Sequence, residues 1–591
     1  MAAIDSYSQQ LRETLRKSSA LGADLFVLLL VGSLIGGMLM VGKQFSAPFN
    51  ERIEINLSLW ALPLYTLFSL ARGFAAYFLS LLFTLVYGTI AAHNPRAERL
   101  MIPTLDVLQA IPVLGFLPGL VMALVAIFPT REIGLELASI VMIFTGQVWN
   151  MTFSFHSSLR AIPTALREVA VIHRLTGWQT FRLLEVPAAM IGLVWNSMMS
   201  MAGGWFFLTV AEAFTLGNHD FRLPGIGSYM NEAIHQGNTP AMLGALVAMV
   251  LMILFADQVV WRPIVVWSQR FKLEDWGDAK PARSWVLELM QRSLLVRSLR
   301  ARWSRAGARS ASLTAMPLSP GLGFRLMALI AWPLIAFWPV GKWLVLAGLA
   351  GAIGYGGGSL IYLLWQLPLS QGEAGHDWVH VVLALGASLL RTSAAVFLGA
   401  LWTLPVGIMI GRSAIWSQRL QPVIQVVASF PAPMLFPLVT LLLGRLHVPF
   451  TIGCVTLMLL GTQWYLLFNI IAGASAIPAD LKEVAQIYHL SRWRRWTRLY
   501  IPCIFPYFVT GLVTAAGGAW NATIVSEYVQ THNVTYSAFG LGSTISHATA
   551  EGNYPLLTAS VGLMALCVVL INRLVWKRFY RLAESRYSLN Q

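Results

Sequence analysis

Two acidic residues stand at matching places inside long apolar stretches. Glu212 lies in Val210-Ala211-Glu212-Ala213-Phe214, and Glu527 in Val525-Ser526-Glu527-Tyr528-Val529. Each precedes a glycine pair, Pro224-Gly225-Ile226-Gly227 and Phe539-Gly540-Leu541-Gly542. A carboxylate at membrane depth is costly and marks a functional site by default. It can equally accept N–H groups from the Gly-rich turn beside it and hold that turn; both roles stay open. Arg72 and Arg391 form a second pair, in Ser69-Leu70-Ala71-Arg72 and Ser388-Leu389-Leu390-Arg391. Near the outer ends of their spans they can draw an anion into a shared pathway or snorkel to the interface. Trp205 and Trp520 are candidates for the centre where two halves meet, or for tight helix packing. Asn521, which stands where the other copy has Phe206, is a candidate polar group of the pathway. These residue types recognise and pass a solute; they do not make or break bonds. There is no GxxxxGK[ST] loop, no HExxH, no CxxC and no Ser or Cys elbow, so no cofactor, metal or catalytic residue is expected.

The elements that carry these groups are membrane spans. The chain has 591 residues, 57% hydrophobic and 11% charged, a balance no soluble globular class shows. Its net charge of +15 sits between apolar stretches rather than on a basic face interleaved with aromatics, which excludes nucleic acid as a partner. Cys454, Cys503 and Cys567 all fall in apolar spans and form neither a disulfide framework nor a metal spacing. Apolar stretches of 18 or more residues predict spans near 24–42, 60–92, 104–128, 135–155, 188–214 and 241–263. The second is too long for one simple crossing and must overhang or tilt. The polar start and the absence of a small-residue cleavage site make 24–42 an uncleaved anchor. Arg96, Arg99, Arg160, Arg167, Arg174, Arg182, Arg262 and Arg270 all fall on one side if the N-terminus is cytoplasmic, as the positive-inside rule expects.

The second half repeats the first. Gly88, Pro103, Pro112 and Pro118 match Gly407, Pro422, Pro431 and Pro437 at an offset of 319. Beyond a four-residue deletion the offset is 315, pairing Trp149 with Trp464, Trp205 with Trp520 and Glu212 with Glu527. A repeat of this size outranks any single motif. The expected domains are a cytoplasmic segment 1–23, a first unit 24–267, a basic cytoplasmic linker 268–323, a second unit 324–576 and a cytoplasmic tail 577–591. Within 326–369, an apolar region containing Lys342, one span plus an interfacial segment keeps both repeated loops on one side.

Those loops are the strongest repeat. Ile162–Pro187 reads IPTALREVAVIHRLTGWQTFRLLEVP and Ile477–Pro502 reads IPADLKEVAQIYHLSRWRRWTRLYIP. From Ile162 to Trp178, 9 of 17 positions are identical. Each copy predicts two short helices. Pro163 and Pro478 suit a first turn. Leu166, Val169, Ala170 and His173, like Leu481, Val484, Ala485 and Tyr488, make one stripe, expected to enter a groove on a soluble partner. Thr176 with Gln179 forms a capping box; Ser491 caps alone, because Arg494 replaces the Gln.

This pattern resembles the EAA loop of type I ATP-binding-cassette importer permeases: Glu168-Val169-Ala170 and Glu483-Val484-Ala485, ending at Pro187 and Pro502. The middle Ala of the motif is Val in both copies. Its Gly is replaced by Arg174 and His489, residue types that argue against the tight turn usual in the family. The acid followed by Gly-Ile-Gly or Gly-Leu-Gly is similar to the nitrate/sulfonate/taurine/bicarbonate branch. The resemblance implies an all-α polytopic membrane protein with two parallel six-helix permease units in one chain, about 12 transmembrane helices in all. It implies a bacterial-type inner membrane, both termini cytoplasmic, two cytoplasmic ATPase subunits on the repeated loops, and an extracytoplasmic binding protein. A small anion is the expected solute; a vitamin is the alternative. A secondary transporter of the major facilitator kind also has two parallel six-span halves. The Gly-x3-Asp-Arg-type loop it should carry after its second span is absent from HNPRAERLMIP.

Overall fold

The computed structural model describes residues 54–110, 113–216, 219–271, 284–298, 354–369, 377–531 and 534–586, with 22–29, 36–37, 39–40, 42–44 and 351. The N-terminal segment, most of the basic linker, the 326–350 part of the apolar region and the last residues of the tail lie outside these. So does Pro112. The chain divides into two compact units. Val41–Ala282 with Leu367–Gln591 form the larger, which contains both halves of the repeat. The smaller comprises the described residues of Met1–Met40 and Arg283–Gln366. In it a short helix, Trp285–Arg292, is capped by Ser284, and Asp24 accepts hydrogen bonds from Ser293 and the Leu295 N–H.

The larger unit is built from one pattern used twice. The first half runs α1 (Leu59–His93), α2 (Pro95–Ala110), α3 (Val113–Ile127), α4 (Ile133–Arg160), α5 (Thr164–Ile172), α6 (Gly177–Glu212), α7 (Ile226–His235) and α8 (Thr239–Phe271). The second half repeats it as α9 (Trp378–Gly411), α10 (Ala414–Ser429), α11 (Phe436–Arg445), α12 (Phe450–Ser475), α13 (Ala479–Ile487), α14 (Arg492–Ser526), α15 (Leu541–Glu551) and α16 (Tyr554–Ala583). A two-stranded antiparallel hairpin follows each long acid-tipped helix: β1 (Thr215–Leu216) with β2 (His219–Asp220), and β3 (Tyr528–Thr531) with β4 (Val534–Ser537). Among the described residues, eight helices are long and apolar enough to cross a membrane, and α3 and α11 are shorter apolar helices. The chain is an all-α polytopic membrane protein with a duplicated unit.

Small residues make the packing possible. In α1 the buried seam is Ser69, Gly73, Ala76, Ser80, Thr84, Gly88 and Ala91, and α9 repeats it with Ser388, Thr392, Ala395, Gly399, Thr403 and Gly407. Lipid offers no hydrophobic drive for helix association, so close backbone approach and interhelical hydrogen bonds must supply it. The Phe155 ring lies over Gly88, and the Thr84 and Thr152 hydroxyls meet at 3.0 Å between α1 and α4.

Two expectations change. The span expected at 104–128 is two helices, α2 and α3. In the second half a 3-10 turn, Ala432–Met434, separates α10 from α11 at Pro431 and Pro433. Proline removes a backbone donor and clashes with the preceding turn, which breaks the run. The loops also turn tightly although neither has the family's glycine. Arg174 and His489 adopt left-handed backbone, with φ of 49° and 45°. Each closes its helix by a pair of hydrogen bonds: Leu175 N–H to Ala170 O with Arg174 N–H to Val171 O, and Leu490 N–H to Ala485 O with His489 N–H to Gln486 O. The capping box at Thr176 and Gln179 is present, and Ser491 caps alone. Before Pro187 and Pro502 the helix widens into π-bulges, Phe181–Glu185 and Trp496–Tyr500, which relieve the clash the proline ring would otherwise make with the preceding turn.

Left-handed backbone costs a non-glycine residue about 1–2 kcal/mol. Arg174→Gly should therefore leave proteinase K cutting of the loop in membranes unchanged or slower. Arg174→Val, whose branched side chain tolerates positive φ least, should be cut several-fold faster. Equal rates for Gly and Val would show that the turn is unstrained.

Candidate functional site

Glu212 and Glu527 are fully buried, at the ends of α6 and α14. The Glu212 carboxylate accepts from Ser69 Oγ at 2.7 Å, from Arg72 Nη1 at 2.8 Å and from the Gly227 N–H at 2.8 Å. Ser69 Oγ in turn accepts from the Ile226 N–H at 2.9 Å. The second half repeats this bond for bond. Glu527 accepts from Ser388 Oγ, Arg391 Nη1 and the Gly542 N–H, and Ser388 Oγ accepts from the Leu541 N–H. The first N–H groups of a helix have no intrahelical partner and carry its positive end. Each carboxylate therefore ties the start of α7 or α15 to the ends of two long helices. The glycines are needed for approach: a Cβ at Gly225 would overlap the Glu212 carboxylate, and one at Gly227 would meet Thr209 O at 2.5 Å.

The arginines complete these clasps. Arg72 is 1% exposed and gives Nε and Nη2 to both oxygens of Glu136, at 2.6 and 2.7 Å, while Nη1 also reaches Pro224 O. Arg391 bonds Glu527 and Phe539 O, but its Nε is buried without a partner. The reason is in the repeat: Glu136 corresponds to Thr451 at the offset of 315. Neither arginine is free to attract a solute or to snorkel; both are bound inside their own half. Sequence reasoning missed Glu136, though an acid inside the apolar run of α4 was a signal. It also missed Glu132 just outside that run. Glu132 takes a hydrogen bond from Gln44, and burial, with Glu136 beside it, pushes its carboxyl up to about 7.

Two cavities between the halves are lined by corresponding residues of both. The inner one, about 120 Å³, is lined by corresponding residues of both: Trp149 with Trp464, Gly146 with Gly461, Gly203 with Gly518, Asn150 with Tyr465, and Phe206 with Asn521. No charged side chain lines it among the described residues. The second cavity, about 290 Å³, lies against the clasp helices and is again paired: Pro118 with Pro437, Met230 with Ile545, Asn231 with Ser546. At the boundary the Val113 N–H donates to Asn521 Oδ1 across the halves at 2.8 Å. Phe206, its counterpart, packs into the core of the other half with Ala395, Cys454 and Met458. The structure thus puts Asn521 on the cavity wall. It puts Trp205 over Gly73 and on a small cavity where the first half meets Gln425 and Ser429 of the second, and Trp520 on a lateral groove; the tryptophans of the inner cavity are Trp149 and Trp464.

The loops differ from the expected stripe. Ala170 and Ala485 are buried and Leu166 and Leu481 pack on their own halves. The outward side carries Val169, Val171, Ile172 and Trp178, and Val484, Ile487, Tyr488 and Trp493, with Ile172 76% and Ile487 72% exposed. Glu168 and Glu483 are also exposed.

Comparison with known proteins follows the repeat. The binding-protein-dependent transport system inner membrane component family matches residues 84–260 and again 403–589. The chain is 28% identical over 191 residues to the nitrate import permease protein NrtB of Leptolyngbya laminosa, covering 32% of this chain and 65% of that protein. It is 29% identical over 143 residues to the bicarbonate transport system permease protein CmpB of Synechocystis, 24% of this chain and 50% of that one. With the putative aliphatic sulfonates transport permease protein SsuC of Bacillus subtilis it shares 27% over 143 residues, again 24% of this chain and 50% of that protein. The chain thus spans between half and just under two thirds of the length of these relatives.

Arg72→Met strands two buried carboxylates, and breaking such a pair costs about 3–5 kcal/mol. Arg391→Met strands one. Folded protein recovered by size exclusion should fall further for Arg72→Met, and adding Glu136→Met should restore part of it. Equal losses for the two arginines would remove Glu136 from the clasp.

Proposed function

The chain belongs to the family of binding-protein-dependent transport system inner membrane components, carried twice in one polypeptide; on that premise we propose that it is the membrane-spanning permease component of an ATP-driven importer of a small anion. Nitrate, bicarbonate or a sulfonate is the class of solute, in line with the relatives' names. Two cytoplasmic ATPase subunits supply the energy and an extracytoplasmic binding protein delivers the solute. The termini and both repeated loops face the cytoplasm.

The observation that carries this reading is the pair of loops. Each presents exposed apolar side chains beyond the end of a long helix, which is the form of a helix-in-groove docking site. Glu168 and Glu483 add charge-assisted hydrogen bonds at the rim. Arg174 and His489 set the angle between the two short helices of each loop. The family carries no nucleotide loop in this chain, so hydrolysis belongs to the partner. ATP-driven closure moves the loops, the two halves rock, and the inner cavity opens to one side and then the other. Trp149 and Trp464 Nε1, the Tyr465 hydroxyl and the Asn150 and Asn521 amides give it neutral polar groups around a small solute.

Ile172→Asp with Ile487→Asp should lower ATPase copurification at least tenfold while the permease still inserts; unchanged copurification would refute the docking site. The solute is tested separately, by uptake of labelled nitrate, bicarbonate and taurine in cells expressing the full complex. Import of a neutral or cationic ligand with no anion competing would defeat the anion reading.

A further inference from the structure

The two halves differ sharply at one lateral face. In the second half a groove of about 470 Å³ runs along α9 between α14 and α16, with walls almost wholly apolar. Leu389, Val396 and Leu404 lie along its length on α9, Phe508 and Trp520 on α14, and Trp576 on α16. It is roughly three times the ~150 Å³ cavity that holds a benzene ring. Leu389 to Leu404 is about 22 Å of helix, too long for a single side chain to fill.

In the first half the same place is filled by the protein. The Tyr77 ring meets Trp261 edge-on at 5.3 Å, and Phe74 lies against Tyr77. Trp205 packs directly on the backbone at Gly73. By the offsets of the repeat, Tyr77 becomes Val396, Phe74 becomes Ser393 and Gly73 becomes Thr392, while Trp261 persists as Trp576. The aromatic filling is lost, and Thr392 carries a branched side chain where Gly73 has none, with Trp520 left on the groove wall. The groove is therefore a coherent replacement of side chains by space, on helices that face lipid.

We propose that this groove holds an acyl chain of an anionic bilayer lipid, as a site of the second half alone. At membrane depth the neighbour of an open apolar surface is hydrocarbon, and close contact there is gained only by filling the gap. The headgroup is selected by charge. Arg573 and Lys577 flank Trp576 at one end of the groove, and both are exposed. Basic residues at a bilayer surface attract anionic lipid headgroups. The bound chain does for α9, α14 and α16 what Tyr77 and Phe74 do for α1, α6 and α8.

Native mass spectrometry of the full chain, delipidated and then given phosphatidylglycerol or phosphatidylcholine, tests this. Wild type should retain one phosphatidylglycerol at least tenfold more tightly than Ser393→Phe/Val396→Tyr, which restores the first half's filling. Should the double variant not fold, Ser393→Phe alone reads the same arm. Arg573→Gln/Lys577→Gln should bring the two lipids to within twofold of each other. Undiminished phosphatidylglycerol retention in the filled variant overturns the site. Equal retention of both lipids by wild type overturns the headgroup selection. No retained lipid, with Ser393→Cys crosslinking to a cysteine placed between 326 and 369, would mean that the chain's own apolar segment covers the groove.

Discussion

A polar group at membrane depth has no water to fall back on, and that constraint shapes each half. The first N–H groups of α7 and α15 would be unsatisfied there. A carboxylate and a serine accept from them, and an arginine neutralises the carboxylate. The clasp fixes where α1, α6 and α7 meet. The same α6 is one continuous element from the exposed loop to Glu212, 36 residues long, or about 54 Å. A displacement at the loop therefore has a stiff path to the clasp and to the cavity wall that the middle of α6 provides. The π-bulge at Phe181–Glu185 is the one local irregularity on that path, and it sits where the helix leaves the loop.

Duplication within one chain lets the halves diverge while the frame stays shared. Ser69, Glu212 and Gly227 keep their partners in Ser388, Glu527 and Gly542 because every one of them closes a backbone bond. Side chains that merely fill space were free to change. Glu136 has no acidic counterpart, so Arg391 keeps an unmade bond at Nε. Phe206 became Asn521, exchanging an apolar anchor in the opposite core for a hydrogen bond to the Val113 N–H. Phe206 and Asn521, like Asn150 and Tyr465, lie at corresponding places on the inner cavity, so its two walls are not equivalent.

Much of this was legible in the residues. The two offsets of the repeat give the correspondence of all sixteen helices, and the loop motif gives the family. The acids beside glycine pairs were readable as turn-holders, because a carboxylate near a Gly-rich turn has a local use. The arginines were not, because their acidic partners, Glu136 and Glu212 for Arg72 and Glu527 for Arg391, are distant in sequence and only the fold brings them together. The loop stripe was read half right: Val169, Val484 and Tyr488 are exposed, but Leu166, Ala170, Leu481 and Ala485 lie on their own protein, because periodicity reveals that a helix has two sides and not which one faces inward. Ile162, Leu166, Ala170 and Leu175 take the inward side, leaving Val171 and Ile172 outside. The turn at Arg174 defied residue type because the hydrogen bonds that end the helix impose left-handed backbone whichever side chain stands there.

The pairing of both arginines bears on how an anion could pass. Arg72 has carboxylates on two sides and Arg391 on one, so neither guanidinium offers net attraction to the space between the halves. The inner cavity has only neutral polar groups among its described walls. A fixed positive charge there would hold an anion strongly in low dielectric, and a solute that must leave again is served better by several weak donors. N–H and O–H dipoles can replace part of a hydration shell without that penalty on release. On the proposed function, attraction into the pathway then comes from outside it, from a binding protein presenting the solute and from the basic residues beyond the spans. On this view the clasp arginines help transport by being occupied: they hold the frame rigid and leave the passage free of charge.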